Sequence, residues 1–287
     1  WNSNLDMLER FVELSTIVAK VLMSRPSSKS QAPDMVATSQ LTVVDDIISL
    51  LKPFKTATED VSGESYVTSS LSIPIANLLE GGLSAAKPKT SVGDSVREAL
   101  LIGVQSRLRP LENNLILAKA TLLDPRFKKI HFSSPTCVST AVSNLSLEIR
   151  AEHKRRGQLS PELPSPSSSK SSDDLWARHD NLAQSSIVTP VIPSYGAVPN
   201  ELKQYFDQPL SPRSSDPVQF WRQCAAFTPV LSSIALQHLI SPASSVPSER
   251  AASAVNLVVP DNRSRLTGEH ITQRVVLARV PEKYWFT

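Results

Sequence analysis

The sequence predicts a mainly α-helical protein. Three observations support this: apolar residues recur with the helical period in several segments, glycine is scarce (8 residues), and strand-like alternation is brief. That alternation falls at residues 185–192, where Pro190 and the following Pro193 limit strand pairing. With 40% hydrophobic residues among 287, the chain can bury a substantial core as one large domain or two ordinary ones.

Four segments carry the clearest helical pattern. Apolar residues line one face over residues 5–22, and again over residues 44–54. A third such face covers residues 92–108 and a fourth covers residues 138–149. The fourth ends in the basic run 153–156, and cations in a last turn suit the negative end of a helix dipole.

Two Ser/Pro-rich stretches interrupt the helical pattern, at residues 24–34 and 160–174. Neither has the periodic apolar residues needed to offset the entropy of ordering, so both are expected to be flexible loops. The resulting division is a helical body at 1–158, a linker at 159–198 and a C-terminal helical unit at 199–287.

Composition restricts the class of protein. The net charge of +3 is a weak basic bias, compatible with nucleic-acid binding but far from demonstrating it. Cys137 and Cys224 stand in unrelated contexts, which favours buried thiols in a reducing compartment over a disulfide framework. No apolar run is long enough for a bilayer, so no membrane partner is expected. Because the chain begins with Trp1 rather than Met, it is expected to be part of a longer protein.

Five sequence blocks follow one another in a fixed order. The body contains Trp-Asn-Ser with Met-Leu-Glu-Arg in residues 1–10, Leu-Leu-Lys-Pro-Phe with Ser-Gly-Glu-Ser-Tyr in 50–66, and Ala-Thr-Leu-Leu-Asp-Pro-Arg-Phe-Lys at 120–128. Glu-Leu, Tyr and Pro-Leu follow in residues 201–210. The last block, 217–266, holds Trp221, Phe-Thr-Pro, Ser-Val-Pro-Ser-Glu-Arg and Asn-Arg-Ser-Arg-Leu.

In that order, the blocks resemble the C-terminal part of hAT-superfamily DNA transposases and the host proteins derived from them, such as the BED-finger family. The resemblance implies a helical inserted domain, followed by the closing helices of a ribonuclease H-like core whose strands are largely absent from this chain. It also implies that residues 199–287 form a dimerisation region. A BED zinc finger, which many relatives carry, would precede this chain.

Glu249 matches the third acid of the family's metal-binding triad. Three carboxylates are needed to hold two divalent metals at a phosphate, and the family's other two acids should lie upstream of Trp1. Ala252 and Asn256 replace a usual Phe and Gly of the motif, which indicates divergence. Glu249 also suits the first turn of a helix simply as an acid near the positive dipole end. Asp124 is expected to cap the chain or pair near Arg126.

Large apolar residues crowd the C-terminal unit. Their spacing predicts buried helix faces, which could be the core of a monomer; the resemblance implies that much of this surface is shared between two chains. The predicted interface comprises Phe220, Trp221, Phe227, Val230, Leu231, Ile234, Leu239, Leu266, Ile271 and Val275.

Candidate nucleic-acid contacts combine one aromatic residue with several cations. Trp1 matches a Trp that stacks near a flipped base in active transposases. The alternative is that Trp1 packs on the helical body. The candidate cations can contact phosphate or can simply form a solvated face. They are Arg126, Lys128, Lys129, Arg263 and Arg265. The histidines show no zinc-like spacing with cysteine, so no metal site is expected in this chain.

The leading interpretation is a transposase-derived dimerisation module of a nuclear DNA-binding protein, without catalytic activity or cofactor in this chain. The alternative is part of an active metal-dependent transposase, which would use Mg²⁺ or Mn²⁺ with two upstream Asp residues. A third interpretation is a protein-only scaffold, which a salt-dependent DNA-binding assay would separate from the first.

Overall fold

The computed structural model describes residues 2–24, 34–157, 198–258 and 266–280. Within these ranges the protein is mainly helical and contains no strand, which confirms the predicted fold class at that level. The Ser/Pro-rich stretch 24–34, apart from its two end residues, lies outside the described residues, as do the whole of the stretch 160–174 and the alternating segment 185–192.

The described α-helices comprise six in the body and five in the C-terminal part. The body helices are α1 Asn2–Ser24, α2 Thr38–Val61, α3 Ser72–Ala85, α4 Ser91–Arg107, α5 Leu115–Leu123 and α6 Pro135–Arg155. The C-terminal helices are α7 Asn200–Asp207, α8 Pro217–Cys224, α9 Pro229–Leu239, α10 Val246–Val258 and α11 Gly268–Arg279. Short 3₁₀ turns at Ser69–Leu71 and Arg109–Asn113 precede α3 and α5. The four helical patterns in the sequence correspond to α1, α2, α4 and α6.

A small apolar cluster joins α2, α3 and α4 through Leu50, Leu79, Leu83 and Val104. The start of α4 is fixed beside it, since Thr90 caps the helix by accepting from the amide of Gly93 at 3.0 Å. This part of the body is therefore held by its own apolar contacts and its own cap.

The principal core surrounds α5. Every residue from Ala118 to Leu123 is buried, and α6, α9 and the first 3₁₀ turn pack around this helix. Asn114 begins α5 by accepting from the amides of Ile116 and Leu117. The same cluster contains Leu145 and Ile149 of α6 together with side chains of α7, α8 and α9.

Side chains from the C-terminal helices also donate to the last carbonyls of α5. Tyr205 Oη donates to the carbonyl of Leu122 at 3.1 Å, and Trp221 Nε1 donates to that of Leu123 at 2.7 Å. These bonds satisfy acceptors that the helix end leaves open. The predicted body and C-terminal unit thus share one core, and their boundary at 158–199 remains a prediction.

Candidate dimerisation site

Half of the predicted interface residues lie inside the protein. Their side chains are buried in the principal core against α5 and α6, so they are not available to a partner in this fold. This corrects the expectation for Trp221, Val230, Leu231, Ile234 and Leu239. The physical reason is that α5 and α6 supply the apolar cover that the sequence interpretation assigned to a second chain.

Trp221 is the clearest of these corrections. It is 1% exposed, and its ring lies 4.8 Å from that of Tyr205 and 5.2 Å from that of Phe220. These centroid distances are typical of favourable aromatic pairs. Phe220 itself is half-buried and packs against the core. The aromatic group therefore anchors α8 to the body.

Phe227 is the predicted interface residue that lies most openly on the surface, with 87% of its area exposed. It stands in the turn between α8 and α9. The amides of Phe227 and Thr228 both donate to the carbonyl of Cys224, at 3.0 and 2.8 Å. The hydroxyl of Thr228 also donates to that carbonyl at 3.2 Å. These bonds fix the turn from which Phe227 projects.

The last two described helices form a pair with little apolar cover. α10 and α11 pack chiefly against each other among the described elements, and none of their described side chains is buried. The predicted residues Leu266, Ile271 and Val275 are half-buried there. Val276 and Leu277 are 54% and 58% exposed.

Sequence reasoning left Ile240, Val276 and Leu277 out of the interface set. Ile240 is 76% exposed at the end of α9, and the other two stand in the last turn of α11. The sequence did contain a signal for the exposure of Val276 and Leu277. Val275, Val276 and Leu277 are consecutive, so they cannot all face one side of a helix. Nothing in the sequence distinguished Ile240 from its buried neighbour Leu239.

Two of the predicted DNA-contact cations are engaged within the protein. Arg126 forms a bidentate pair with the buried carboxylate of Asp124, at 2.9 and 2.7 Å. Lys128 is 5% exposed, and its ammonium donates to the carbonyls of Tyr205 and Gln208 at 2.6 and 2.5 Å. Burial lowers the pKa of this ammonium.

Lys129 differs from these two residues because it is exposed. Its ammonium lies 4.1 Å from the centre of the Phe206 ring, a cation–π distance, with the rest of the side chain open to solvent. Trp1, Arg263 and Arg265 lie outside the described residues. Among the described candidates, Lys129 is therefore the cation best placed to meet a phosphate.

Residues 201–279 match the hAT family C-terminal dimerisation region. The resemblance to hAT transposase-like proteins is confirmed. The match begins in α7 and ends with α11, so it includes both the core residues Trp221 and Leu231 and the exposed residues Phe227 and Leu277.

Curated relatives extend the likeness beyond that region. The chain is 25% identical over 292 residues to the human "Zinc finger BED domain-containing protein 4", with 96% of this chain and 23% of that protein covered. It is 31% identical over 188 residues to the "Putative AC transposase" of Zea mays, with 60% of this chain and 22% of that protein covered. The "Putative AC9 transposase" of Zea mays has the same identity and 21% of its length covered. The chain thus spans less than a quarter of these relatives.

Glu249 of the hAT region lies in the first turn of α10, as predicted, and is exposed. Its carboxylate accepts from the hydroxyl of Ser245 at 2.5 Å. The next residue, Arg250, donates to the carbonyl of Ser62 at 2.8 Å and pairs with Glu64 at 3.1 Å. Among the described residues no group of three His, Cys, Asp or Glu side chains lies close enough to share a metal ion.

His238 of the hAT region joins α9 to α6. Its Nε2 lies 2.8 Å from Glu148, whose other oxygen accepts from Lys119. Burial raises the pKa of Glu148, but the hydrogen bonds from His238 and Lys119 outweigh this effect and leave the pKa below its usual value. No helix in the described part of the chain is long and apolar enough to cross a membrane.

A cleft of about 810 Å³ lies between the hAT region and the body. Its walls are residues 63–68, 214–218 and 239–242, with Arg126 and Pro247 completing the lining. The lining is mainly apolar. A volume of this size is in the range that accommodates a bulky partner group.

Proposed function

We propose that this chain is a transposase-derived self-association module, in which residues from about 199 to 283 hold two copies together. The match of residues 201–279 to the hAT dimerisation region carries this proposal. Apolar residues exposed on the same stretch support it, since such surface on a soluble protein commonly marks an interaction site. A stable pair of this type would bury about 2,000 Å² or more.

Light scattering coupled to size exclusion tests the proposal on the whole chain. A mass of two chains at tens of micromolar, a concentration suited to ordinary complex affinities, is the expected result. A mass of one chain at that concentration would overturn the proposal.

Variant Val276→Asp tests whether α11 takes part. A charge placed in an apolar interface is costly, so the variant is expected to weaken self-association by about tenfold or more. Val21→Asp is the matched control, because Val21 occupies the equivalent last-turn position of α1 and is 51% exposed, compared with 54% for Val276. Equal association of the two variants would remove α11 from the interface.

We also propose that the longer protein binds DNA in the nucleus and that pairing strengthens this binding through effective concentration. The similarity to a BED zinc finger protein and to transposases supports this role. A DNA shift assay on the chain and on the longer protein, repeated at rising salt, tests it, because phosphate contacts weaken steeply with salt. Lys129→Met is expected to reduce the salt dependence of any DNA binding by this chain. If the affinity falls with salt concentration as steeply as in the wild type, Lys129 does not contact phosphate.

A second candidate function is part of a metal-dependent DNA transposase. Similarity to the AC transposases of Zea mays favours it, together with Glu249 inside the matched region. The described residues do not fit two metal ions, because one carboxylate cannot supply the ligands that Mg²⁺ requires. We therefore propose that Glu249 in this chain stabilises the start of α10, as an acid near the positive end of the helix dipole. Glu249→Gln is expected to leave DNA affinity unchanged, and a large loss would contradict this role.

A further inference from the structure

We propose that Phe227 of one copy inserts into the cleft of a second copy, and that the second copy returns the same contact. This inference rests on the proposed self-association and specifies how it occurs. The contact joins two features of the surface that the core leaves unused: an exposed aromatic side chain on a fixed turn, and a cleft of about 810 Å³ lined by both apolar and polar residues.

Phe227 has the form of an anchor residue. Its ring projects into solvent and is 87% exposed. The neighbouring Thr228 is held in place, because its hydroxyl donates to the carbonyl of Cys224 and lies 3.2 Å from the hydroxyl of Ser232. A phenyl ring held outward by a closed turn loses little conformational freedom on binding. Exposed aromatic groups of this type carry much of the free energy of protein interfaces.

The cleft offers complementary chemistry. Val218, Pro247 and the exposed Ile240 provide apolar wall. The guanidinium of Arg126 also lines the cleft, where Asp124 holds it in place through two hydrogen bonds. Its Cζ already lies 4.9 Å from the centre of the Phe127 ring, so this guanidinium contributes charge to the cleft rather than apolar wall.

Phe227 cannot fill the cleft of its own chain. It precedes α9, whereas residues 239–242 of the cleft follow α9, and a helix of 11 residues is about 16 Å long. A second copy is the occupant we infer, because Phe227 and most of the cleft belong to the matched dimerisation region. When a knob and a hole lie on the same chain, a two-fold arrangement lets each copy fill the hole of the other.

Phe227→Asp tests the knob. Two copies of the contact are lost in a symmetric pair, so self-association is expected to weaken about a hundredfold or more by analytical ultracentrifugation. Thermal stability at a concentration where the chain is monomeric should stay unchanged, because the ring is exposed. Met23→Asp, at an apolar position of α1 that is 81% exposed, is the control and should associate as the wild type does.

Ser241→Trp tests the hole, since Ser241 lies in the lining and an indole there would occupy part of the space that the Phe227 ring would enter. Alone, this variant should also be monomeric. Mixed with Phe227→Asp, it should form a heterodimer, because its intact Phe227 can enter the open cleft of the other variant. Native mass spectrometry of the mixture measures this species.

The outcomes separate this inference from the proposed function. A monomeric wild type would overturn both. A dimeric wild type with an equally dimeric Phe227→Asp variant would overturn the reciprocal contact alone and leave self-association standing. Loss of pairing in both variants without heterodimer formation on mixing would likewise reject insertion of Phe227 into the cleft.

Discussion

Asp46 shows how a single carboxylate positions one helix on another. It is 5% exposed on α2 and accepts from the amides of Lys89 and Thr90 and from the Thr90 hydroxyl, at 3.0, 2.9 and 2.7 Å. The residues it holds are those that begin α4. The hydrogen bond from the Thr90 side chain, followed by that from the Lys89 amide, lowers the pKa of Asp46.

A lowered pKa in the folded state makes the contribution of Asp46 dependent on pH. The folded protein holds the ionised form, so this stabilisation is present above the unfolded value near 3.8 and is lost as the pH falls through the folded pKa. Asp46→Asn is therefore expected to lower the melting temperature at pH 7 and to differ little from the wild type in strong acid. Asp45→Asn, at the exposed neighbour, is the control. A difference in melting temperature that is the same at all pH values would contradict this account.

Lys128 illustrates a cation that serves the fold. Its ammonium donates to main-chain carbonyls at the end of α7 and just beyond it, and lies 4.6 Å from the centre of the Tyr205 ring. Lys128→Met would leave buried carbonyls without a donor, at a cost of about 1–3 kcal/mol. Urea unfolding is expected to show this loss, whereas Lys129→Met at the exposed neighbour should change stability by less than about 0.5 kcal/mol. Equal effects would show that the carbonyl contacts contribute little.

The sequence predicted some of these residue contacts and missed others. Asp124 was expected to cap the chain or to pair near Arg126, and it accepts from both the amide and the guanidinium of that residue. The burial of Lys128 could not be predicted, because the acceptors at Tyr205 and Gln208 are distant in sequence and are main-chain groups that any residue carries. When the acceptors of a basic residue are distant in sequence, the sequence alone suggests that the residue is exposed to solvent.

At the scale of the element, periodicity succeeded where a helix has one apolar face. α2, α4 and α6 alternate between core and solvent, and the 3.6-residue pattern located each of them. α5 escaped the pattern because all residues from Ala118 to Leu123 are buried, which leaves no polar face to define a period. α3 was obscured by Pro74 and by Gly81-Gly82, which are poor helix formers in isolation.

The same limit explains the interface residues that were assigned to the wrong surface. A pattern shows that α8 and α9 each bury an apolar face, but it does not show whether the cover is α5 or another chain. Trp221 separates the two possibilities experimentally. Trp221→Ala removes a fully buried ring and its bond to Leu123, so we expect a loss of about 3–5 kcal/mol.

Protein concentration distinguishes a core role for Trp221 from an interface role. For a core residue, the loss in urea unfolding should be the same whether the protein is monomeric or paired. A loss of unfolding free energy that appears only at high protein concentration would show that Trp221 belongs to the interface. Phe227→Ala is the comparison, since its ring is 87% exposed and its removal should not change the stability of the monomer.

At the scale of the molecule, the principal core joins segments that are distant in sequence. Leu122 and Leu145 of the body lie in one cluster with Leu202, Tyr205 and Leu231 of the C-terminal part. The matched dimerisation region therefore also completes the core of the body. An isolated C-terminal fragment would expose the apolar faces of α7, α8 and α9 to water.

Expressing the two parts separately tests this dependence. Residues 198–287 alone are expected to show weak helical circular dichroism and to aggregate, because α5 and α6 are missing. Co-expression with residues 1–157 should restore a folded complex, since the contacts between the parts need no particular covalent link. The control is the intact chain lacking residues 160–174, which should keep the melting temperature of the wild type if that stretch acts only as a linker. A fragment 198–287 that folds cooperatively alone would show that the shared core is dispensable.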